Sequence, residues 1–361
     1  MNQNQLPCVL LGFLSILFST TLYGQTSPLD LKLKDFHPNS IFRIPETKIE
    51  KARYPVIDMH SHAYAKTAKE VDQWVKNMDS AGIQKTIILS DETGDSFDSV
   101  EARFARYPKR FEIWCGFDYT GYDEPGWSQK AVKELEKCFK AGAKGVGELG
   151  DKGLGLFYSR PVPAWGMHID DPRMKPLLEK CAQLHMPVSI HVADPMWMYQ
   201  PMDSTNDGMM NAFKWKVDLT KKGILNHQQL INTLINAVKE NHKTTFIACH
   251  LANCEYDLSI LGKMFDQYPN LYADISARYE ETAAIPNYVH AFYTKYQDRL
   301  VYGTDMGYEF NMYKNTFRIL ETGDEHFYYD YAYHWPLYGL ALSDIVLKKI
   351  YRDNALKIMK K

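Results

Sequence analysis

The chain has 361 residues, 45% of them hydrophobic, with a formal net charge of −2 and a sequence pI of about 6.6. That is enough apolar material for one large α/β domain or two ordinary ones. The near-balanced charge, with no run of Lys or Arg, gives no basis for nucleic acid as the main partner.

Residues Leu6 to Phe18 are almost wholly apolar and lead into Ser19-Thr20-Thr21-Leu22-Tyr23-Gly24. An apolar run of about 13 residues is too short to span a bilayer and suits the middle of a signal peptide. Residues 1–24 are therefore expected to be an export signal, with Gly24 as the small residue at cleavage. The mature protein is then periplasmic or secreted, with no stable membrane association. One feature departs from the pattern: no Lys or Arg precedes Lys32. With that segment gone, Cys115, Cys138, Cys181, Cys249 and Cys254 remain. Their odd number and their spacings fit no disulfide framework or zinc ribbon, so they are expected to be buried free thiols.

Residues 25–53 hold Pro28, Pro38 and Pro45 among mixed charges and read as an extended lead-in. From residue 54 to 361, short apolar runs alternate with longer amphipathic ones. Strands are predicted at Val56–Met59, Lys85–Ser90, Phe111–Phe117, Lys144–Glu148, Pro187–His191, Thr244–His250, Leu271–Ile275 and Leu300–Gly303. Between them lie helix-like segments such as Ala68–Ala81, Gln129–Ala141, Met174–His185 and Gln228–Asn241, and an amphipathic closing helix is predicted over Leu342–Met359. Strands followed by helix-sized connections predict an α/β fold of the (β/α)8 TIM-barrel type. A doubly wound open sheet is the alternative. The barrel is preferred because polar residues recur at the strands' C-terminal ends, where barrel active sites sit.

The connection after the fifth strand is long and holds Met196, Trp197, Met198, Tyr199 and Met202. It is expected either to cap the barrel mouth, with Trp197 as a substrate wall, or to serve as packing or as a contact in a homo-oligomer.

The stretch Asp58-Met59-His60-Ser61-His62 ends the first strand. Strand side chains alternate, so Asp58, His60 and His62 should project to one side. Further polar residues stand at later strand ends: Glu148, His191, His250 and Asp305. A divalent transition metal held by His60, His62, His191 and Asp305 would leave a position open for water and lower its pKa. Asp305 could also shuttle the proton. His250 could polarise the substrate or bind a second ion, and Glu148 could bridge two ions or merely hydrogen-bond a histidine. Asp58 is expected to orient its neighbours, and His185 is read as structural. Arg278 could hold a substrate carboxylate, or form an ion pair with Glu280 or Glu281.

These residues resemble the amidohydrolase superfamily, and within it the group that includes aminocarboxymuconate semialdehyde decarboxylase. The likeness covers about residues 54 to 358. It rests on the DxHxH at Asp58–His62, on His191 and His250, on the Gly303-Thr304-Asp305 run, and on the ending Tyr351-Arg352-Asp353-Asn354-Ala355. The resemblance implies a zinc-type site at His60, His62, His191 and Asp305, with His250 as the catalytic histidine. Manganese is the alternative ion, and one or two ions are compatible with it. Three features depart from the group: Leu251-Ala252 after His250, Gly307 after Asp305, and a Gly-Glu-Leu context at Glu148 closer to TatD-type nucleases. The first expectation is a metal-dependent hydrolase of a small amide, ester or lactone bearing a carboxylate. The alternative is a metal-dependent decarboxylase of an aromatic or unsaturated acid. A third reading is a barrel that binds without catalysis.

Overall fold

The structure is a computed structural model and describes residues 27–152, 160–329 and 333–360. The export signal expected at 1–24 lies outside the described residues. The chain divides into two units, Met1–Phe36 and His37–Lys361. In the first, the described residues form two single 3-10 turns, Pro28–Asp30 and Leu33–Asp35.

The second unit alternates strands and helices. Its strands are β1 (Val56–Ser61), β2 (Ile83–Leu89), β3 (Phe111–Trp114), β4 (Val146–Asp151), β5 (Val188–Val192), β6 (Phe246–Ala248), β7 (Leu271–Asp274) and β8 (Leu300–Val301). Its helices are α1 (Ala68–Ala81), α2 (Gly94–Phe104), α3 (Trp127–Ala141), α4 (Lys175–Gln183), α5 (Met209–Ala212), α6 (His227–Glu240), α7 (Leu258–Gln267), α8 (Tyr279–Ala283), α9 (Pro286–Lys295), α10 (Phe310–Glu321), α11 (Asp344–Lys348) and α12 (Asn354–Met359).

The strands pair in parallel in the order β1-β2-β3 and β4-β5-β6-β7-β8. Backbone hydrogen bonds join the two sets. Cys115 N–H donates to the Gly145 carbonyl (3.0 Å) and Gly147 N–H to the Cys115 carbonyl (2.8 Å) between β3 and β4. Met59 N–H donates to the Tyr302 carbonyl (2.9 Å) and Thr304 N–H to the His60 carbonyl (3.0 Å) between β8 and β1. The eight strands thus close into the expected parallel barrel.

Helix α1 shows why the local sequence sets these elements. Thr67 and Glu70 cap its start reciprocally, and Gly82 ends it at φ +86°. Val71, Trp74, Val75, Met78 and Ala81 recur at helical spacing and are all buried. Each such large apolar side chain contributes about 1.5–3 kcal/mol relative to exposure.

The strand interiors form their own cluster. Ile57, Met59, Ile87, Leu89, Trp114, Ile247, Tyr272 and Val301 pack together with Ala355 and Ile358. Residues from six strands can meet only across the barrel interior, so this cluster lies inside the ring.

Several element bounds differ from the sequence expectation: β3 ends at Trp114 rather than Phe117 and β8 at Val301 rather than Gly303, and two further differences bear on the site. Strand β6 stops at Ala248, and Cys249–Asn253 turns sharply away. The closing helix begins only at Asp344, where Ser343 caps it, and widens into a π turn over Lys349–Asp353. The cause of the bulge is visible: Tyr302 N–H takes the Ile350 carbonyl at 2.8 Å, withdrawing it from the helical ladder. The five cysteines are buried and free, as expected.

Candidate metal centre

Six of the side chains singled out in the sequence meet at the C-terminal end of the barrel. His60 and His62 come from the end of β1, Glu148 from β4 and His191 from β5; His250 and Asp305 follow β6 and β8. Positive φ recurs where the chain leaves the strands. It is +61° at Ala193, +57° at His250, +50° at Ala277 and +53° at Asp305. Leu251, Ala252 and Asn253 continue the left-handed run after His250. None of these is glycine, so each costs about 1–2 kcal/mol of backbone strain. That run is held by Asn253, whose amide donates to the Val192 and Ala193 carbonyls at 2.9 and 3.2 Å. Its effect is to turn His250 out of the strand and into the centre.

The ring nitrogens and carboxylates close on one another. His62 Nε2 lies 3.1 Å from Asp305 Oδ1 and 3.4 Å from Glu148 Oε2. His60 Nε2 lies 3.7 Å from Glu148 Oε1 and 3.8 Å from Asp305 Oδ1. His250 Nε2 lies 3.3 Å from Glu148 Oε1 and 3.6 Å from Asp305 Oδ2. His191 meets the group through Nδ1, 3.0 Å from Glu148 Oε1, while its Nε2 faces Asp194 at 3.7 Å. Glu148 thus contacts all four imidazoles.

These separations suit a metal. A tetrahedron with metal–ligand bonds of about 2.0–2.2 Å has edges of about 3.3–3.6 Å. Two donor atoms, His60 Nε2 and Glu148 Oε2, are buried without a hydrogen-bond partner. Leaving such atoms bare is costly, and a cation between them removes the cost. Among the described residues, three triads have ligand atoms close enough to share an ion: His60-His62-Glu148, Glu148-His191-His250 and His60-His250-Asp274. Glu148 belongs to the first two.

The electrostatics agree. Burial opposes charge on Glu148 and Asp305, yet the imidazoles around them hold both carboxyls well below their usual range. Burial likewise opposes charge on His60, but Asp274, Asp305 and Glu148 overcome it and raise the imidazole to about 9. His62 is raised in the same way by Asp305 and Glu148. His250 goes down, chiefly through burial, with His191, His60 and Arg278 adding to it.

Other candidates sit elsewhere. Asp58 does not join the cluster. Its carboxylate accepts from the Thr304 N–H (3.0 Å), the Thr304 hydroxyl (2.8 Å) and the His60 N–H (3.2 Å), pinning β8 to β1. The register of β1 against β2 shifts between Asp58 and Ser61, so strict alternation fails within the motif. Arg278 is buried, with Nε and Nη2 donating to Asn253 Oδ1 at 3.1 and 2.8 Å and Nη1 to Glu281 Oε1 at 2.8 Å. This is the ion-pair alternative weighed from the sequence. Trp197 packs on Trp335, with ring centroids 5.8 Å apart, and donates to Asp207 Oδ1 at 2.6 Å.

Besides Asp194 at His191 and the Leu89 carbonyl at His62 Nδ1, three side chains absent from the sequence-based set touch the centre. Tyr64 Oη donates to Asp305 Oδ1 at 3.0 Å. Asp274 Oδ2 lies 2.9 Å from His60 Nδ1, and Ser276 Oγ lies 2.9 Å from His250 Nδ1. A second acid at a strand end was the available signal for Asp274. Nothing local marks Tyr64 or Ser276.

Residues 51–360 match the amidohydrolase family model, and the chain belongs to that family. No curated protein matches the chain. Among solved structures, the chain is similar to 2,6-dihydroxybenzoate decarboxylase from Rhizobium, at 16% identity and TM-score 0.53 over 85% of this chain and 99% of that one. It is similar to a dihydroxybenzoic acid decarboxylase from Polaromonas, with bound manganese and the inhibitor 2-nitroresorcinol, at 15% identity and TM-score 0.53 over 85% of this chain and 97% of that one. It is also similar to a probable 2-pyrone-4,6-dicarboxylic acid hydrolase from Acinetobacter baumannii, at 13% identity and TM-score 0.51 over 85% of this chain and 99% of that one. At these identities the likeness is one of fold. Family membership and the buried donor set together make this a metal-dependent enzyme of the amidohydrolase type.

Proposed function

We propose that this amidohydrolase is a metal-dependent decarboxylase of a small aromatic or unsaturated carboxylic acid. The observation that carries the reading is Asp305. It lies at the accessible edge of the donor set, with its side chain 21% exposed against 1% for Glu148. Tyr64 holds one of its oxygens and His250 Nε2 stands 3.6 Å from the other. An ionised acid that can accept and return a proton therefore stands at the open edge of the centre beside His250. The sequence reading put hydrolysis first. The solved structures, several of them decarboxylases of aromatic acids and one a probable lactone hydrolase, support the reverse order.

His60, His62, His191 and Asp305, with Glu148, would hold the ion, zinc or manganese. When bound, it would hold and orient the substrate's carboxylate and supply positive charge beside the reacting carbon. The bond between the ring carbon and the carboxyl carbon then breaks, and its electron pair stays on the ring carbon. CO2 leaves, and the ring carbon takes one proton that originates in solvent water and passes through His250 and Asp305. Burial keeps His250 neutral and able to pass that proton on. Arg278 shapes this wall of the site through Asn253 and Glu281.

Hydrolysis remains the second reading because of Glu148. Its two oxygens face different imidazoles, His191 and His250 on one side and His62 on the other, as a carboxylate bridging two ions would. Ions held there would supply water activation for attack on a lactone or amide.

The test offers manganese-loaded protein a panel of hydroxybenzoates and, separately, 2-pyrone-4,6-dicarboxylate. Release of CO2 from a benzoate, lost in H250N, is the expected result. Opening of the lactone without CO2 from any acid would replace the decarboxylase by a hydrolase.

A further inference from the structure

Asp274 and Ser276, at the end of β7, contact the far side of two of the clustered histidines. Asp274 is fully buried, and three donors already surround its Oδ1, as around a carboxylate that only accepts. His60 Nδ1, 2.9 Å from Asp274 Oδ2, therefore faces an acceptor and carries the proton. The same logic fixes His250. Its Nδ1 lies 3.0 Å from the Ser276 carbonyl, which also can only accept. Each ring therefore keeps Nδ1–H on its outer side and turns Nε2 to the space between Glu148 and Asp305.

The other oxygen of Asp274 is fully used. Oδ1 accepts the His250 N–H (2.9 Å), the Ser276 N–H (3.0 Å) and the Ser276 hydroxyl (2.5 Å). The hydroxyl oxygen of Ser276 in turn lies 2.9 Å from His250 Nδ1 and 3.1 Å from His60 Nδ1. One carboxylate thus ties the ring of His60 to both the backbone and the ring partner of His250.

We propose that Asp274, acting with Ser276, is the positioning residue that sets the tautomer of both His60 and His250, so that both Nε2 lone pairs face the metal space together. The inference rests on the metal-centre reading given above. It assigns Asp274 a place outside the ligand set, although its carboxylate lies close enough to His60 and His250 to pass for a third ligand.

The geometry makes a sharp forecast for Asp274→Asn. Three donors already surround the Oδ1 position, so the amide oxygen must stay there. The amide NH2 then faces His60 Nδ1, donor against donor. The only relief is for His60 to give up its Nδ1 proton and carry one on Nε2, which blocks its lone pair. Metal affinity is expected to fall about 10–100-fold, as when other partners behind a metal-binding histidine are removed.

The experiment is histidine-selective 15N NMR on the full chain, metal-free and zinc-loaded, with zinc affinity measured by competition against a chelator. Protonated Nδ1 on His60 and His250 in the wild type, loss of the His60 Nδ1 proton in D274N and a weakened zinc affinity are the expected results. An unprotonated Nδ1 on His60 in the wild type overturns the proposal, whatever the variant does. So does a folded D274N that keeps both Nδ1–H signals and full affinity. Should D274N not fold, S276A provides the second variant: it keeps the Ser276 carbonyl and the Asp274 carboxylate, so Nδ1–H is expected to persist on both rings, and loss of either Nδ1 proton overturns the arrangement. Nδ1 protons present in a wild type that takes up no zinc would leave the positioning intact and sink the metal-centre reading instead.

Discussion

Asp305 is the residue on which chemistry and geometry converge. The imidazoles of His60 and His62 help keep it ionised against burial, and Tyr64 fixes one of its oxygens. Removing the tyrosine hydroxyl in Y64F deletes one hydrogen bond to a charged group, worth about 1.5–3 kcal/mol. A fall in kcat of at least about tenfold, with metal content unchanged, is the expected outcome in steady-state kinetics on whichever substrate turns over. Wild-type rates in Y64F would mean that Asp305 needs no help from that hydroxyl. H250N belongs to the same scale: it removes a proton-relay group, and such groups are worth about 10²–10⁴-fold in rate. A variant that loses only substrate affinity, with kcat preserved, would place His250 in binding rather than proton transfer.

The strand ends explain why part of the site was legible in the sequence and part was not. His60, His62, Glu148, His191, His250 and Asp305 could be found because each is a polar residue closing an apolar run, and a barrel brings all such positions to one rim. Asp58 orients its neighbours as expected, but strict period-two alternation across the motif fails at a register shift that only pairing with β2 reveals. Asp274 stood inside a predicted strand and gained its role from the backbone of His250, 24 residues earlier, in the turn that follows the neighbouring strand. Tyr64 reaches Asp305 across 241 residues of sequence. No local pattern encodes partners at that range. Backbone at the rim is equally constrained. A Cβ on Gly303 would stand 2.8 Å from the His60 Cβ and 3.2 Å from the Ser276 Cβ. G303A must therefore push His60 off its position, with a stability loss of about 1–3 kcal/mol from overpacking and weaker metal binding. Urea unfolding and metal competition read the two effects separately, and unchanged values in both would mean that β8 can shift outward freely. Arg278 gives the corresponding forecast for β7. Its removal in R278A strands Glu281 next to Glu255, which burial has already pushed up to about 7. A loss of about 3–5 kcal/mol in unfolding free energy is expected, as for other buried pairs broken from one side. A loss below 1 kcal/mol, of the size seen for surface pairs, would contradict the burial of this network.

For the molecule as a whole, the centre makes stability and metal uptake depend on pH in opposite senses. The metal-free protein gains from His60, raised to about 9 by its carboxylate neighbours. A raised imidazole stabilises fully below its unfolded value of about 6.5 and loses that contribution as pH climbs through about 9. Asp305 and Glu148, both lowered, stabilise above an unfolded value of about 4 and lose that as pH falls below it. The centre's own contribution is therefore greatest from about pH 4.5 to 6.5 and declines from there towards pH 9. Asp58 and Glu280, pushed by burial to about 7 and about 8, fall in the same direction. Metal binding runs the other way. An ion must displace the protons that His60 and His62 hold, so its apparent affinity rises over the same interval. At a free metal concentration a hundred times Kd, binding adds about 2.7 kcal/mol to the folded state. The gap in Tm between metal-loaded and chelator-treated protein should accordingly widen from pH 6 to pH 9, the metal-free form moving down while the loaded form holds. Thermal unfolding by circular dichroism at pH 6, 7.5 and 9 measures that gap. A gap that stays constant would show that the imidazoles of the centre carry no extra protons when the metal is gone, and a gap of zero at every pH would show that the ion does not bind where six donors converge.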